Sequence, residues 1–402
     1  MVLSPMRPLA QRLLADRTFD IEFQGYLTNH VKHAIIALER LQAPESRVQE
    51  YWDTYTTLTP YNLPLHRVEK NWQHVEPATL DHWKSWRGQK VNWQEQAAFI
   101  SKELEARDGD TNRLVKDFAP EIIDGMVGSL THTIIHLGWA IDADSPWMIV
   151  EGLAYLNFAH VGVNESLLKW NAMEESSPME SFVRISDTWH TQNLGVSWIA
   201  RVKAFYDKTF HPELVPAGLQ WEIAKVIQQP HAVATHLPSW ISTSSMDDIW
   251  EALYRATVYL FLATRDDKGH GNFLVLHLMT SLWGLEKTLE VIDNENISRK
   301  AIGHYYANVV CVLSAASSGF PDKARLVTIQ DEYPRNTVDP RDFDWTEMVQ
   351  NGIAEEEEHN IKLVYVMKEL WNRYGYWTGF REAAKSFTLT PNIGPTKTEF
   401  TQ

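Results

Sequence analysis

Two histidines, His132 and His136, stand four residues apart in the stretch Asp124–Ala140, DGMVGSLTHTIIHLGWA. On a helix that spacing puts both imidazoles on one face, one turn apart. A neutral imidazole offers a divalent metal a nitrogen lone pair, and a pair at this spacing supplies two ligands at once. The surrounding Met126, Val127, Leu130, Ile134, Ile135, Leu137 and Trp139 leave such a helix little hydrophilic face, which puts it inside the protein. Imidazoles there need a partner: a backbone carbonyl, a carboxylate or a metal. The spacing alone fits a satisfied core pair as well as a ligand pair.

His277 sits in a second stretch of this kind, NFLVLHLMTSLWGL at 272–285, among Phe273, Leu274, Leu276, Leu278 and Leu282. His30 and His33 enter the start of Tyr26–Leu41, where Val31, Ala34, Ile35 and Leu38 follow helical spacing. They share a face with Ala34 and Ala37, so at least one is expected to point inward. His359 and Lys362 lie three apart on one side of a long helical stretch, Asp344–Leu370. The acidic run Glu355–Glu358 before them reads most simply as a solvated face. For Lys362 a snorkelling surface lysine competes with a functional one.

Other chemistries lack their signatures. No Gly-rich phosphate cradle follows a strand, and neither G-x-S-x-G, H-E-x-x-H nor a cysteine ligand set occurs. The apolar helices carry histidines in place of the paired glutamates of a di-iron bundle.

The histidines need helices to position them, and helical spacing recurs along the chain while alternating runs are scarce. The expected fold is all-α: a single large multi-helical domain over residues 1–402 with long connecting loops. Helices are expected at 5–15, 26–41, 46–55 and 93–106, from Pro120 through the His132 stretch, and over Trp147–Trp170. Ser177, with Pro178 first and Glu180 third, carries a helix-start signature, as does Ser244 or Ser245 before Asp247 and Asp248. Further helices are expected at 193–207, 220–229, 272–285, 297–316 and 344–370, with a small strand at Val327–Ile329. Between Pro64 and Pro77 a long loop is expected, with short pieces around Trp72 and Trp83.

With 37 basic and 52 acidic side chains the net charge is -15, which argues against non-specific binding of nucleic acid and adhesion to anionic membrane. The one cysteine, Cys311, cannot form an intrachain disulfide, and this suits a reducing compartment. MVLSPMRPLAQRLL lacks the long apolar core of a signal peptide, and no run approaches about 20 apolar residues, so a cytoplasmic protein off the membrane is expected. Seventeen tryptophans are enough to line a large cavity as well as to fill cores.

Taken in order, NHVKHAIIALERL at 29–41, THTIIHLGWAI at 131–141, FLVLHLMTSLWGL at 273–285 and EEHNIKLVYVM at 357–367 resemble the motifs of the questin oxidase-like family. The resemblance runs through most of the chain. Family members include fungal enzymes that oxidatively open anthraquinone rings, described as Baeyer–Villiger-type oxidation with NADPH. The family also resembles one that holds non-haem iron through histidines and a carboxylated lysine. For this chain the resemblance implies His132, His136 and His277 as metal ligands, with one of His30 and His33, and Lys362. The metal centre would be formed by helices near 26–41, 120–141, 272–285 and 344–370. Neutral imidazoles leave a metal's charge uncompensated; a lysine carbamate supplies an anionic oxygen, where an ammonium would be repelled. His359 is left to orient Lys362 or to act as an acid or base.

The function so implied is a metal-dependent oxidoreductase using O2 on an aromatic or polyketide-like small molecule, by C–C cleavage or Baeyer–Villiger-type oxidation. Fe2+ is expected because that chemistry needs O2, with Zn2+ or another divalent metal as the alternative. NADPH is implied as a co-substrate, yet no binding motif for it is visible, so no tightly bound flavin or nicotinamide is expected. Trp139, Tyr155, Trp198 and Trp283 are candidates for an aromatic substrate pocket. Two readings compete: a hydrolase using a metal-activated water, and a non-enzymatic helical scaffold whose histidines are packed polar groups.

Overall fold

The computed structural model describes residues 4–195, 231–315 and 319–391. Among them, eighteen α-helices stand beside two two-stranded sheets, so the fold is all-α, as the spacing predicts. No helix of the described residues is long and apolar enough to cross a membrane. The chain forms two compact units, Met1–Gly162 with Ser281–Ala301, and Val163–Thr280 with Ile302–Gln402. Two of the division points fall inside the long helices Phe273–Ile292 and Glu295–Ala315.

In the first unit, Val31–Arg40 is buried from Val31 through Leu38, and His132–Asp142 is buried at every residue except the half-buried Ile141. Both are interior helices of the kind that shows no polar face. Their last residues are joined by an ion pair, Arg40 Nε to Asp142 Oδ2 at 3.2 Å. Glycines let the second helix pack close. A Cβ on Gly138 would lie 2.1 Å from Cα of Gly284, and one on Gly152 would lie 2.7 Å from Cα of Leu137.

The helix expected to open at Pro120 does not. Pro120 lies inside Thr111–Ile122, and the chain then makes a 3-10 turn, Ile123–Gly125, before the next helix starts at His132. Ser129, Leu130 and Thr131 are all left-handed, with φ of 49°, 53° and 63°. Three such residues in a row cannot continue a right-handed helix. The apolar pattern at Met126–Leu130 belongs to a buried turn, and periodicity cannot distinguish a buried turn from a buried helix. Gly128 is required there, since a Cβ would meet the Ala159 carbonyl oxygen.

In the second unit, the stretch expected as one helix over 344–370 is two, Thr346–Ala354 and Glu358–Arg373. Glu357 separates them as an N-cap: its carboxylate accepts from the backbone N–H of His359 and of Asn360. Val327–Ile329 is not a strand but part of the helix Lys323–Glu332, capped by Asp322. The helix expected over Trp147–Trp170 runs over Pro146–Phe158, while Trp170 falls in the strand Lys169–Met173, which pairs in parallel with His236–Pro238. Ser177 and Ser245 cap their helices as expected, accepting from Glu180 N and Asp248 N. The helix expected at 220–229, most of that at 193–207, and Trp198 lie outside the described residues.

Candidate functional site

Four of the expected site histidines meet in the first unit. His30, at the N-cap of Val31–Arg40, and His33, in its first turn, lie in contact, Nδ1 to Nδ1 at 3.1 Å. His33 Nε2 reaches His136 Nδ1 at 3.0 Å. The rings of His30 and His132 are 4.5 Å apart between centroids. None of the four is more than 5 % exposed. His132 Nδ1 donates to the Ser129 carbonyl at 2.5 Å, so the left-handed turn holds this ring by its backbone. That turn is itself fastened: Ser129 Oγ donates to Glu22 Oε1 at 2.6 Å. Glu22 also accepts from Tyr155 Oη at 2.8 Å and from Lys90 Nζ at 2.7 Å.

Behind His136 stands Glu151, a buried carboxylate in the apolar helix Pro146–Phe158. Lys32 Nζ donates to both its oxygens, at 2.9 and 2.7 Å, and Trp147 Nε1 donates to Oε1 at 2.8 Å. His136 Nε2 lies 3.5 Å from Oε2. Burial pulls Glu151 upward, but the Lys32 ammonium and His136 outweigh it and the carboxyl ends below its usual range. Burial pushes His136 down, so it is neutral at pH 7. A small cleft opens over this group, walled in part by Asp16, Asp20, Lys32, His136 and Glu151.

The second unit holds His277, His359 and Lys362. His277 Nδ1 donates to the Phe273 carbonyl at 2.8 Å, and its ring lies 4.7 Å from that of His359. His359 Nδ1 and Glu357 Oε1 share a hydrogen bond at 2.6 Å. Burial, reinforced by the charge of Lys362, pushes His277 down to about 3, so it is neutral across the working range. Lys362 is fully buried, and burial pushes it down to about 8 against the pull of Glu358 and Glu357. Only the first half of the acidic run fits the solvated face expected of it, with Glu355 half-buried and Glu356 exposed. Glu357 and Glu358 are buried, and with His359 they bring ligand-type atoms within 4.8 Å of one another. Burial and the charge of Glu358 push Glu357 well above the usual carboxylate range.

Of the aromatic candidates, Trp139 and Tyr155 are core residues of the first unit, near His33 and His136 at 6.2 and 6.4 Å between ring centroids. Trp283 is buried in the same unit, with Lys287 Nζ 4.6 Å above its ring. Sequence reasoning missed Lys32, Glu22 and Glu151. Glu151 could have been found, as the one carboxylate in PWMIVEGLAYLNF. Lys32 and Glu22 sit in mixed surroundings that give no such signal.

The profile of the family described as Questin oxidase-like matches residues 27–367. No curated protein matches the chain.

Proposed function

The chain belongs to the questin oxidase-like family, and from that premise we propose that it is a cytoplasmic, metal-dependent oxidoreductase that uses O2 on an aromatic small molecule, opening a ring by C–C cleavage or Baeyer–Villiger-type insertion. The observation that carries the metal part is the state of the imidazoles. His132 and His277 each commit the Nδ1 hydrogen to a backbone carbonyl, which puts the lone pair on Nε2. Burial keeps His277 uncharged, as a ligand must be. Buried, oriented nitrogen donors, with His136 and His277 uncharged, are the chemistry that a mid-row divalent ion takes, so the residues fit the group.

His132, with His30 or His33 and with His136, would supply nitrogen ligands from the first unit, and His277 would supply one from the second. A ferrous ion held by them would supply the one-electron chemistry that lets O2 react with a closed-shell aromatic. Lys362 suits the anionic position. A buried amine with a pKa of about 8 is part neutral at pH 7, and only the neutral form adds to CO2. That addition forms one N–C bond and releases one proton, leaving an anionic carbamate. Glu357 holds His359 through Nδ1, so His359 is placed to carry a proton on its other nitrogen during turnover.

The test is elemental analysis of the purified protein beside O2 uptake with anthraquinones. Iron at about one per chain is expected, and His132→Ala and His277→Ala should each lose most of it while circular dichroism stays helical. Retention of the metal by either variant would overturn that histidine as a ligand. Metal without substrate-dependent O2 uptake would favour the hydrolase.

A further inference from the structure

We infer that Glu151, His136 and His33 form a polar relay, a 3.5 Å contact at Glu151 followed by two hydrogen bonds, that fixes the tautomer of His30, so that His30 presents Nε2 to a metal. The inference deepens the metal reading above, on which the role of His30 rests.

The direction of the chain follows from what each group can give. Lys32 and Trp147 are donors only, and both donate to Glu151, so they hold it as an acceptor. The remaining capacity of Oε2 faces His136 Nε2 at 3.5 Å. A lone pair on that nitrogen would set two acceptors against each other in a buried site, so Nε2 carries the hydrogen. A neutral imidazole has one N–H, and Nδ1 of His136 is therefore the acceptor. It accepts from His33 Nε2 at 3.0 Å, which leaves His33 Nδ1 as an acceptor in turn. That atom accepts from His30 Nδ1 at 3.1 Å. His30 then has its hydrogen on Nδ1 and its lone pair on Nε2.

Each link spends both nitrogens of His136 and His33 on the chain, which makes these two residues positioning residues. His30 is then the ligand from its helix, and His136 supports it in place of the ligand role implied by the resemblance. His132 reaches the same state by a shorter route, through the Ser129 carbonyl. The arrangement matches the rule that a ligating imidazole is oriented by a hydrogen bond at its other nitrogen, with a carboxylate at the far end.

Glu151→Gln tests the direction. Oε1 receives both Trp147 and Lys32 while Oε2 receives Lys32 alone, so the amide oxygen takes the doubly used position, Lys32 turns wholly to it, and the NH2 group takes the place of Oε2. A donor would then face His136 Nε2, and every link would invert. The readout is the tautomer of each ring in the full-length, metal-free protein labelled with 15N-histidine, from two- and three-bond N–H correlations. In the wild type, His136 and His33 should be Nε2–H and His30 Nδ1–H. In Glu151→Gln all three should exchange, and Co2+ should bind about 10–100-fold more weakly. Nε2–H at His30 in the wild type, or a His30 tautomer unmoved by the substitution, would overturn the chain. Should Glu151→Gln fail to fold, the wild-type tautomers and those of His33→Phe, which should release His30 from a single tautomer, decide the question. These tautomers are read without metal, so they judge the chain by themselves, while Co2+ binding by the wild type judges the reading it rests on.

Discussion

Asp20 shows what the cleft does to one carboxyl. It is half-buried, and burial pushes it up to about 7 against the Ile21 backbone N–H, with Glu22, Glu69 and Glu151 adding to the rise. An unfolded chain titrates this group near 3.8, so between that pH and about 7 the folded state holds a proton that the unfolded state has lost. Stability therefore falls as pH rises through this window, and the deficit is complete above it. Asp20→Asn removes the titration and keeps an oxygen for Ile21 N–H. It should raise stability at pH 8 by roughly 2–4 kcal/mol and change it little at pH 3.5. Denaturant midpoints at the two pH values measure this; an equal gain at both would refute the assignment. The residue scale also divides what sequence can show from what it cannot. His132, His136 and His277 announce themselves because an imidazole in an apolar helix is conspicuous. Lys32 does not, because its meaning lies in Glu151, 119 positions away.

At the scale of elements, the helix His132–Asp142 is fixed by backbone contacts more than by side-chain fit. Gly138 and Gly284 lie against each other, and a Cβ on Gly284 would in turn lie 2.4 Å from the Ile134 carbonyl oxygen. Neither neighbour is a flexible side-chain end, so a methyl group can enter only if the backbones separate. Gly138→Ala should therefore destabilise the protein by about 1–3 kcal/mol despite alanine's better helix propensity. Moving the helix also shifts His136 two positions away, so metal content should fall with stability. A thermal midpoint equal to the wild type would show that the helices part without cost. The elements themselves were readable wherever one apolar face or a cap marked them, as at Ser177 and Ser245. The breaks were not. Between Ile123 and Thr131, and at Glu355–Glu357, apolar or acidic composition continues through a change in backbone direction. That change is set by left-handed φ angles and by a side chain capping its own backbone. Neither has a 3.6-residue signal.

Across the whole molecule, the family motifs and the all-α fold could be read from sequence because they repeat one physical pattern: apolar helices interrupted by single imidazoles. Glu22 holds the turn that carries His132, Glu151 faces His136 and Glu357 faces His359, and only the fold joins these buried carboxyls to their partners. The proposed site predicts how the molecule responds to a divalent metal ion. Buried nitrogen donors gathered by the fold can hold an ion that an unfolded chain, which scatters them, cannot. A ligand that binds only the folded state stabilises it by RT ln(1 + [L]/Kd), about 2.7 kcal/mol at a hundred times Kd. Protein stripped with a chelator should thus melt several degrees lower than the same protein reloaded with Fe2+ under anaerobic conditions, or with Co2+. The difference should grow with the logarithm of metal concentration above Kd. His277→Ala should melt at one temperature with or without metal. If stripped and reloaded wild type melt together, the histidines are packed polar groups and the chain is a scaffold at these positions.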